Sequence, residues 1–216
     1  MEIHLDLRNA LLTAMTIYTE SPKARVSIEL GTQNVIVTAA TVDPETIERI
    51  DGKGESMMEV VMDNKHNSPY VFFNKRIRAP VGVLPHLGKM MGVHAIMRVG
   101  LEGEENEVHR RAIDYELAYA KNILTPTVYD EYIKWRKGVE KTSYFDGDFD
   151  QRVGQMVGNF PNLKEEIVRM ASRKGFVIVA RTEPQTFRIQ GDGMAIDTEG
   201  NRIEVHRSTN RRRARR

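Results

Sequence analysis

The last ten residues are the part of the chain best suited to a chemical role. They contain no acidic residue and six arginines, which are Arg207, Arg211, Arg212, Arg213, Arg215 and Arg216. A guanidinium group binds phosphate or carboxylate oxygens through parallel hydrogen bonds, and dense basic runs are typical of segments that contact nucleic acid. So polar a segment cannot form a core by itself. The sequence therefore predicts that this tail binds nucleic acid or the acidic surface of a neighbouring protein chain.

Arg173 and Lys174 extend the predicted nucleic-acid site into the C-terminal third. Two helices near 149–157 and 163–173, followed by a strand–turn–strand unit, have the element order of a winged helix. In that arrangement Arg173 and Lys174 would face phosphates or bases. Their basic companions on the same elements are Lys164, Arg169, Arg181 and Arg188. The same order also occurs in ordinary α+β packing, and the acidic pair that opens the second helix would repel DNA.

Three alternating aspartates, Asp146, Asp148 and Asp150, resemble the first half of a calcium-binding loop. Gln151 stands where that loop needs glycine, and Val157 stands where it needs a bidentate glutamate. We therefore interpret the aspartates as a solvated acidic turn that caps the following helix. No metal site and no cofactor is predicted.

The sequence shows no catalytic motif. Five residues separate Gly82 from Gly88 where a phosphate-binding loop has four, and Met90 replaces the hydroxyl that binds magnesium. None of the six histidines, His4, His66, His86, His94, His109 and His206, has the spacing of a zinc site. A nucleophile elbow is also missing. Because long loops are often functional, an enzyme with its site in the loop-rich region 64–94 stays open as a third hypothesis.

Composition places the basic character in the tail alone. Of the 216 residues, 40% are hydrophobic, and no apolar run approaches the roughly 18 residues that cross a bilayer. The 32 basic and 30 acidic residues give a net charge of +2. Residues 1–206 hold 26 basic and 30 acidic residues, so the body has a net charge of −4. The chain has no cysteine, which suits a reducing, cytoplasmic setting.

A long helical region must position these residues. Between Glu104 and Lys137, apolar residues recur at spacings of three and four, which is typical of a helix facing a core. We expect Tyr115, Tyr119 and Ile123 to face inward. Thr125-Pro126 predicts a restart of the helix, because proline is tolerated in a first turn.

The remaining pattern predicts strands on both sides of these helices. Strands are expected at 2–7, 24–30, 34–42, 56–62, 70–73, 93–101, 176–181 and 186–190. The strands 24–30 and 34–42 are expected to form a hairpin, and a last hairpin is expected near 198–201. Expected shorter helices lie at 11–18, 43–51, 149–157 and 163–173, the last with Asn162 as its cap and Gly175 at its end. Residues 74–92 are expected to form a long, partly ordered loop.

The fold class that follows is α+β. It has mostly antiparallel N-terminal strands, a central helical region at about 104–173, and a C-terminal three-stranded meander with a basic tail. The expected domains are an α+β body at 1–140, a helix–helix–strand module at 141–206 with the element order of a winged helix, and the tail at 207–216.

The leading hypothesis is a non-enzymatic protein of an oligomer or larger assembly that contacts nucleic acid, through the phosphate backbone, by its arginine-rich tail. The alternative is a structural subunit of a large multi-chain particle, such as a virion or connector component, whose tail docks on a neighbouring chain. Neither hypothesis involves a membrane. Both place the protein in the cytoplasm or within a particle assembled there.

Overall fold

The structure is a computed structural model that describes residues 16–17, 23–52, 56–63, 68–76, 78–181, 188–189, 194–196 and 202–204. Over these residues the chain is a mixed α+β protein, as the segregation of strands and helices predicted. Residue contacts divide the chain into two compact units, Met1–Ala180 and Arg181–Arg216. Each unit is described by itself.

The described strands of the first unit form one mixed sheet. They are β1 Thr16–Ile17, β2 Lys23–Leu30, β3 Gln33–Val42, β4 Met58–Asp63, β5 Ser68–Asn74 and β6 Val177–Ala180. Strand β2 pairs with β3 along its whole length, and β1 pairs with β2. Strands β5 and β6 share the other side of β3, with β5 parallel to it at Thr38–Val42 and β6 antiparallel to it at Gln33–Ile36. Strand β4 pairs with β5 antiparallel, so the predicted antiparallel preference is confirmed apart from one parallel pair.

The predicted hairpin between β2 and β3 is confirmed, because Leu30 is aligned with Gln33 across a two-residue turn. Gly31 adopts a left-handed backbone conformation with φ of 74° there, which residues with a Cβ rarely adopt. Strands β4 and β5 overlap the strands predicted at 56–62 and 70–73.

Six α-helices are described. They are α1 Pro44–Asp51, α2 Leu84–Gly100, α3 Glu105–Ile123, α4 Pro126–Val139, α5 Phe149–Gly158 and α6 Phe160–Arg173, with a 3-10 helix at Thr142–Phe145. The predicted restart between α3 and α4 is confirmed, since Thr125 has extended backbone and Pro126 begins the new helix. Tyr115 and Tyr119 are buried, and Ile123 is partly buried, as predicted.

Helix α2 corrects the predicted loop at 74–92 and the predicted strand at 93–101. It contacts β2, α3 and α6, and every residue from Met90 to Met97 is buried. A helix that is apolar on all sides shows no 3.6-residue periodicity, so the sequence pattern was misinterpreted. Pro85 lies in its first turn, where proline is tolerated. Gly92 faces β2, where a Cβ atom would lie 2.8 Å from Ile28 Cδ1.

Two smaller boundaries also differ from the prediction. Helix α6 begins at Phe160, so Asn162 lies inside it and the residue at the cap position is Asn159, whose side chain makes no capping hydrogen bond. Gly175 follows α6 with φ of 78°, as the predicted left-handed helix end required. Thr16–Ile17, within the predicted helix 11–18, form β1 instead, and the predicted strand 2–7 lies outside the described residues.

Strand β6 corrects the predicted C-terminal strand order. It was expected to begin a meander, but it pairs with β3 in the main sheet. Within the second unit, β7 Arg188–Ile189, β8 Met194–Ile196 and β9 Arg202–Glu204 form a separate antiparallel sheet in the order β7–β8–β9. Helices α5 and α6 belong to the same compact unit as the main sheet. Among the described helices, none is both long enough and apolar enough to cross a bilayer.

Candidate functional site

The most unusual chemistry of the first unit lies inside helix α3. Its nine residues from Ala112 to Ala120 are all buried, and two of them, Asp114 and Glu116, are acids. Removing a carboxylate from water is costly unless cations and hydrogen-bond donors surround it. Each acid is therefore expected to have a specific set of partners, and each has one.

Glu116 accepts four hydrogen bonds, which occupy the roughly four lone-pair positions that a carboxylate offers. Its Oε1 accepts from Arg136 Nε at 2.7 Å and from the Tyr132 hydroxyl at 2.5 Å. Its Oε2 accepts from Arg136 Nη2 at 3.0 Å and contacts His94 Nδ1 at 2.8 Å. Because a carboxylate only accepts, His94 carries its hydrogen on Nδ1. These four residues are called the Glu116 cluster below.

Three helices supply the Glu116 cluster. His94 comes from the centre of α2, Glu116 from α3, and Tyr132 and Arg136 from one face of α4, one turn apart. Glu116 and Arg136 have no exposed side-chain area, and His94 is 3% exposed. A single carboxylate on α3 thus binds both neighbouring helices.

Burial and charge shift the pKa values of the cluster in different directions. Burial would raise the pKa of Glu116, but the charge of Arg136 and the hydrogen bond from His94 outweigh it and lower that pKa to about 2. Burial lowers the pKa of His94 to about 4, although Glu116 partly opposes this shift. Burial also raises the pKa of the Tyr132 hydroxyl well above its ordinary value. At neutral pH the cluster therefore holds one anion, one cation, a neutral imidazole and a neutral phenol.

The cluster continues toward solvent through Glu140 and His109. Glu140 Oε2 accepts from Arg136 Nη1 at 3.3 Å and from His109 Nε2 at 3.1 Å. The other ring nitrogen of His109 accepts from the guanidinium of Arg98. His109 therefore carries its hydrogen on Nε2, whereas His94 carries it on Nδ1. The two imidazole rings pack edge to face with their centroids 4.9 Å apart.

Asp114 lies at the centre of a second ionic cluster with Arg152 of α5 and Asp146. Arg152 donates to Asp114 at 2.8 and 3.4 Å and to Asp146 at 2.7 Å. Burial raises the pKa of Asp114, and the hydrogen bond and charge of Arg152 only partly oppose this shift. These three residues, called the Asp114 cluster below, hold α5 against α3.

The chemistry available to both clusters is limited because their polar atoms bind one another. The acceptor positions of Glu116 are filled, and its arginine is fully buried, so neither presents a reactive atom to solvent. Over the residues that the structure describes, no group of three or more histidine, cysteine, aspartate or glutamate side chains could hold a metal ion. The clusters are therefore contacts that position helices.

Of the predicted nucleic-acid contacts, only two lie in the described part of the chain. Arg173 is the exposed last residue of α6, and Lys174 follows it, half-buried, at the end of the helix. The arginines at 207, 211–213, 215 and 216 lie outside the described residues, so their contacts stay a prediction.

Two of the basic companions in the winged-helix interpretation, Lys164 and Arg169, have other partners. Lys164 lies over the ring of Phe160, 4.4 Å from its centroid, and Arg169 donates to Glu166 at 3.3 Å. The strand expected at 176–181 pairs with the main sheet, and most of the expected wing, including its turn at 182–187, lies outside the described residues. The winged-helix division stays a prediction.

The region 64–94 is largely ordered secondary structure and differs from the predicted loop. It contains all of β5 and the first eleven residues of α2. His86 lies half-buried in the first turn of α2, where burial and the charge of Lys89 lower its pKa. His66 lies outside the described residues. Residues 84–94 are therefore helical and provide no loop that could form an enzyme site.

The acidic turn at Asp146, Asp148 and Asp150 lies at the start of α5, as interpreted from the sequence. Its detail differs, because Asp148 occupies the cap position without a side-chain capping hydrogen bond. Asp146 instead pairs with Arg152 and, at 3.6 Å, with Arg110. An aspartate bound to two arginines is poorly suited to a cation.

Sequence reasoning missed the Glu116 cluster altogether. Tyr132, Arg136 and His94 are 16, 20 and 22 residues from Glu116 along the chain, so no short motif contains the whole cluster. One signal was available, because Asp114 and Glu116 interrupt an apolar stretch that extends around the whole helix. An acid inside such a stretch predicts a buried cationic partner, although it does not say which arginine that partner is.

A scan against protein-family models matched nothing, and comparisons with curated proteins and with solved structures gave no match either.

Proposed function

We propose that the chain is a non-enzymatic protein of a larger assembly and that it contacts nucleic acid through its arginine-rich tail. The observation behind this proposal is the charge difference between the two compact units. Met1–Ala180 holds 23 basic and 25 acidic residues, a net charge of −2, whereas Arg181–Arg216 holds 9 basic and 5 acidic residues, a net charge of +4. The field of the first unit opposes a polyanion, and that of the second attracts one.

The ionisable groups inside the first unit are consistent with a non-enzymatic role. Enzymes often use histidine, carboxylate and arginine side chains for catalysis. In the Glu116 and Asp114 clusters, however, these side chains are hydrogen-bonded to one another. Their position between helices supports a role in holding a rigid body that presents the tail. The absence of cysteine suits a reducing compartment, so we place this function in the cytoplasm or in a particle assembled there.

The test is the salt dependence of binding to random-sequence duplex DNA and to single-stranded RNA. Each phosphate contact lowers log affinity by about 0.9 per tenfold increase in salt on duplex DNA, and five engaged arginines give a slope of roughly −4 to −5. Little sequence preference is expected, because phosphate contacts are the same for every base.

A pair of charge-matched variants separates the tail from net charge. Replacing Arg211, Arg212 and Arg213 with glutamine should reduce the slope by roughly 2.7, three times the contribution of one contact. The matched control replaces Arg49, Arg76 and Lys134, three exposed cations of the first unit, and removes the same charge. We expect the control to keep the parent slope. Equal losses in both variants would show that net charge alone acts, and a tail variant that binds like the parent would refute the proposal.

Arg173 and Lys174 can be tested in the same series. If the end of α6 touches phosphate, replacing both with glutamine lowers the slope by up to about 1.8, twice the contribution of one contact. An unchanged slope restricts the site to the tail.

A structural subunit of a multi-chain particle is the second candidate, and exposed apolar side chains on β6 favour it. Val177 and Val179 are 54% and 40% exposed. They are two residues apart on β6, which pairs with β3, so their side chains lie on the same face of the sheet. Adjacent exposed valines on one strand suit contact with another protein. The measurement is sedimentation of the parent and of a Val177→Thr/Val179→Thr variant. Larger species that disappear in the variant but persist at high salt would favour this second candidate.

A further inference from the structure

Helix α4 is held in place by the apolar side chains of Val128, Ile133 and Trp135, which pack partly buried against the core, and by buried polar contacts. Its buried residues are Tyr129, Tyr132 and Arg136, and the last two bind Glu116 of α3. Polar contacts of this kind depend on ionisation far more than apolar packing does. The helix is also joined to α3 by only two residues with extended backbone, Leu124 and Thr125. Rotation about the backbone of these two residues would change the angle between α3 and α4.

We propose that α4 is an acid-releasable element, which leaves its site on α2 and α3 when His94 becomes protonated while the rest of the first unit stays folded. This inference is independent of the proposed function. It concerns a conformational change of the folded unit and makes no use of the tail.

The charges around His94 explain why protonation acts on this contact. From α3, Glu116 and His109 face the imidazole, and from α4, Arg136 and Tyr132 belong to the same cluster. The charge of Glu116 is already balanced by Arg136. An imidazolium at His94 would therefore add a second cation beside a single carboxylate, in a site without solvent.

The outer groups do not supply a second anion for His94. Glu140 is bound to Arg136 and to His109. Arg98 faces His109 from the far side and pairs with Glu105 at 2.9 Å. Two cations that share the single charge of Glu116 leave a net positive charge in the buried cluster, and this weakens the contact between α3 and α4.

The helix that moves is α4, because α2 is fixed by its surroundings. His94 is flanked on α2 by buried apolar residues on both sides, Val93 and Ala95, and the helix is buried around its whole circumference. Arg136, in contrast, has an alternative anion at Glu140, one turn further along and 17% exposed. Arg136 can keep that partner while α4 moves outward.

The pKa values set the range in which release should occur. Burial lowers the pKa of His94 to about 4, whereas a released histidine would titrate at its ordinary value of 6.5. Acid therefore favours the released state increasingly between about pH 6.5 and pH 4. In the docked state Glu116, whose pKa is lowered to about 2 by Arg136 and His94, stays an anion over this whole range.

The chain contains a built-in probe of this motion. Trp135, its single tryptophan, lies on α4, stacks on Tyr132 with the ring centroids 5.7 Å apart, and donates from Nε1 to the backbone oxygen of Arg78 at 2.5 Å. Its fluorescence emission reports whether α4 is docked, and far-UV ellipticity reports the helices of the whole chain. We expect the emission of the full-length parent to shift to the red at a clearly higher pH than that at which ellipticity is lost. Coincident transitions would overturn the proposal, because they would show that the unit unfolds as a whole.

Three histidine variants show which histidine binds the proton that releases α4. His94→Gln keeps a donor for Glu116 without a titrating ring, so its emission transition should move to lower pH. His86→Gln, on the same helix but outside the cluster, should leave the transition unchanged. A transition that moves in His109→Gln but not in His94→Gln would overturn the assignment to His94. If His94→Gln fails to fold at neutral pH, amide exchange of the parent decides, since the proposal requires α4 amides to lose protection in acid before those of α2 and α3.

Discussion

Glu116 and Asp114 lie two residues apart on α3, each is buried, and each is paired with an arginine, yet their surroundings differ. Glu116 receives four hydrogen bonds, and its arginine is fully buried. Asp114 receives two bonds from Arg152, whose side chain is 24% exposed and is shared with Asp146. The pKa of Glu116 is lowered, whereas that of Asp114 is raised. The comparison indicates that the number and sharing of the donors, more than burial, decide whether a buried carboxylate is a favourable anion.

The position of the two acids explains how α3 organises the helices. Residues two apart on a helix point about 200° away from each other, so the acids face opposite sides of α3. Glu116 binds α2 and α4, and Asp114 binds α5. The central helix thus has ionic contacts with neighbouring helices on two of its sides.

The largest difference between the two clusters should appear when each anion is neutralised. Glu116→Gln leaves the buried guanidinium of Arg136 without its main counter-ion, and removing one partner of a buried ion pair costs about 3–5 kcal/mol. Asp114→Asn should cost about 1–2 kcal/mol, in the range for one weakened hydrogen-bonded contact, because Arg152 keeps Asp146 and some solvent. Urea denaturation of both variants and the parent at neutral pH measures the difference.

A double variant separates the cost of an unpaired charge from the value of the pair. Glu116→Leu combined with Arg136→Met removes both charges, and we expect it to recover part of the stability that Glu116→Gln loses. Equal losses in Glu116→Gln and Asp114→Asn would contradict the comparison, since they would show that sharing and exposure of the arginine have no influence.

The two clusters should also respond to pH with opposite signs. The pKa of His94 is about 4 in the folded chain, so the unfolded chain binds more protons between pH 6.5 and 4. Its contribution to stability is complete above that range and falls as the pH decreases, by roughly 3 kcal/mol in total. The pKa of Asp114 is raised, so the folded chain binds that proton more readily, and this contribution grows as the pH falls through the folded pKa.

The measurement is the free energy of unfolding of the parent, His94→Gln and Asp114→Asn in pH steps from 8 to 4.5. His94→Gln should flatten the acid loss, and Asp114→Asn should make it steeper. In the folded chain Glu116 and Glu140, with pKa values lowered to about 2, stay ionised in this window. In the unfolded chain they begin to take up protons at its acid end, and this loss of stability is common to the parent and both variants. A His94→Gln curve parallel to that of the parent would contradict the prediction.

The same contrast explains which elements could be predicted from the sequence. The hairpin of β2 and β3, the stripe of α3 and the start of α4 have local signals, namely a glycine turn, a 3.6-residue period and a proline in a first turn. Helix α2 has no such signal, because it is buried on all sides and its glycines and prolines resemble those of a loop. Gly92 is there for close packing on Ile28, which a single sequence does not reveal.

The candidate sites divide in the same way. The arginine tail could be proposed as a site from composition alone, because its chemistry needs no fold, and its role stays a prediction. The Glu116 cluster was not, because His94, Glu116 and Arg136 are brought together by the packing of three helices. A buried acid indicates that a cation is near, but only the packing of α4 identifies it as Arg136.

The smallest expected effect concerns one hydroxyl group in each of two settings. Tyr132→Phe removes the bond to Glu116 in a fully buried site, and a hydrogen bond to a charged group contributes about 1.5–3 kcal/mol. Tyr115→Phe removes a comparable bond to Glu166, whose side chain is 30% exposed, so water replaces the hydroxyl and the loss should be about 0.5–1 kcal/mol. Both variants keep the ring, and thermal denaturation compares them with the parent. If Tyr115→Phe were the more damaging variant, the saturation of Glu116 would not be what holds α4, because three remaining donors would have served as well as four.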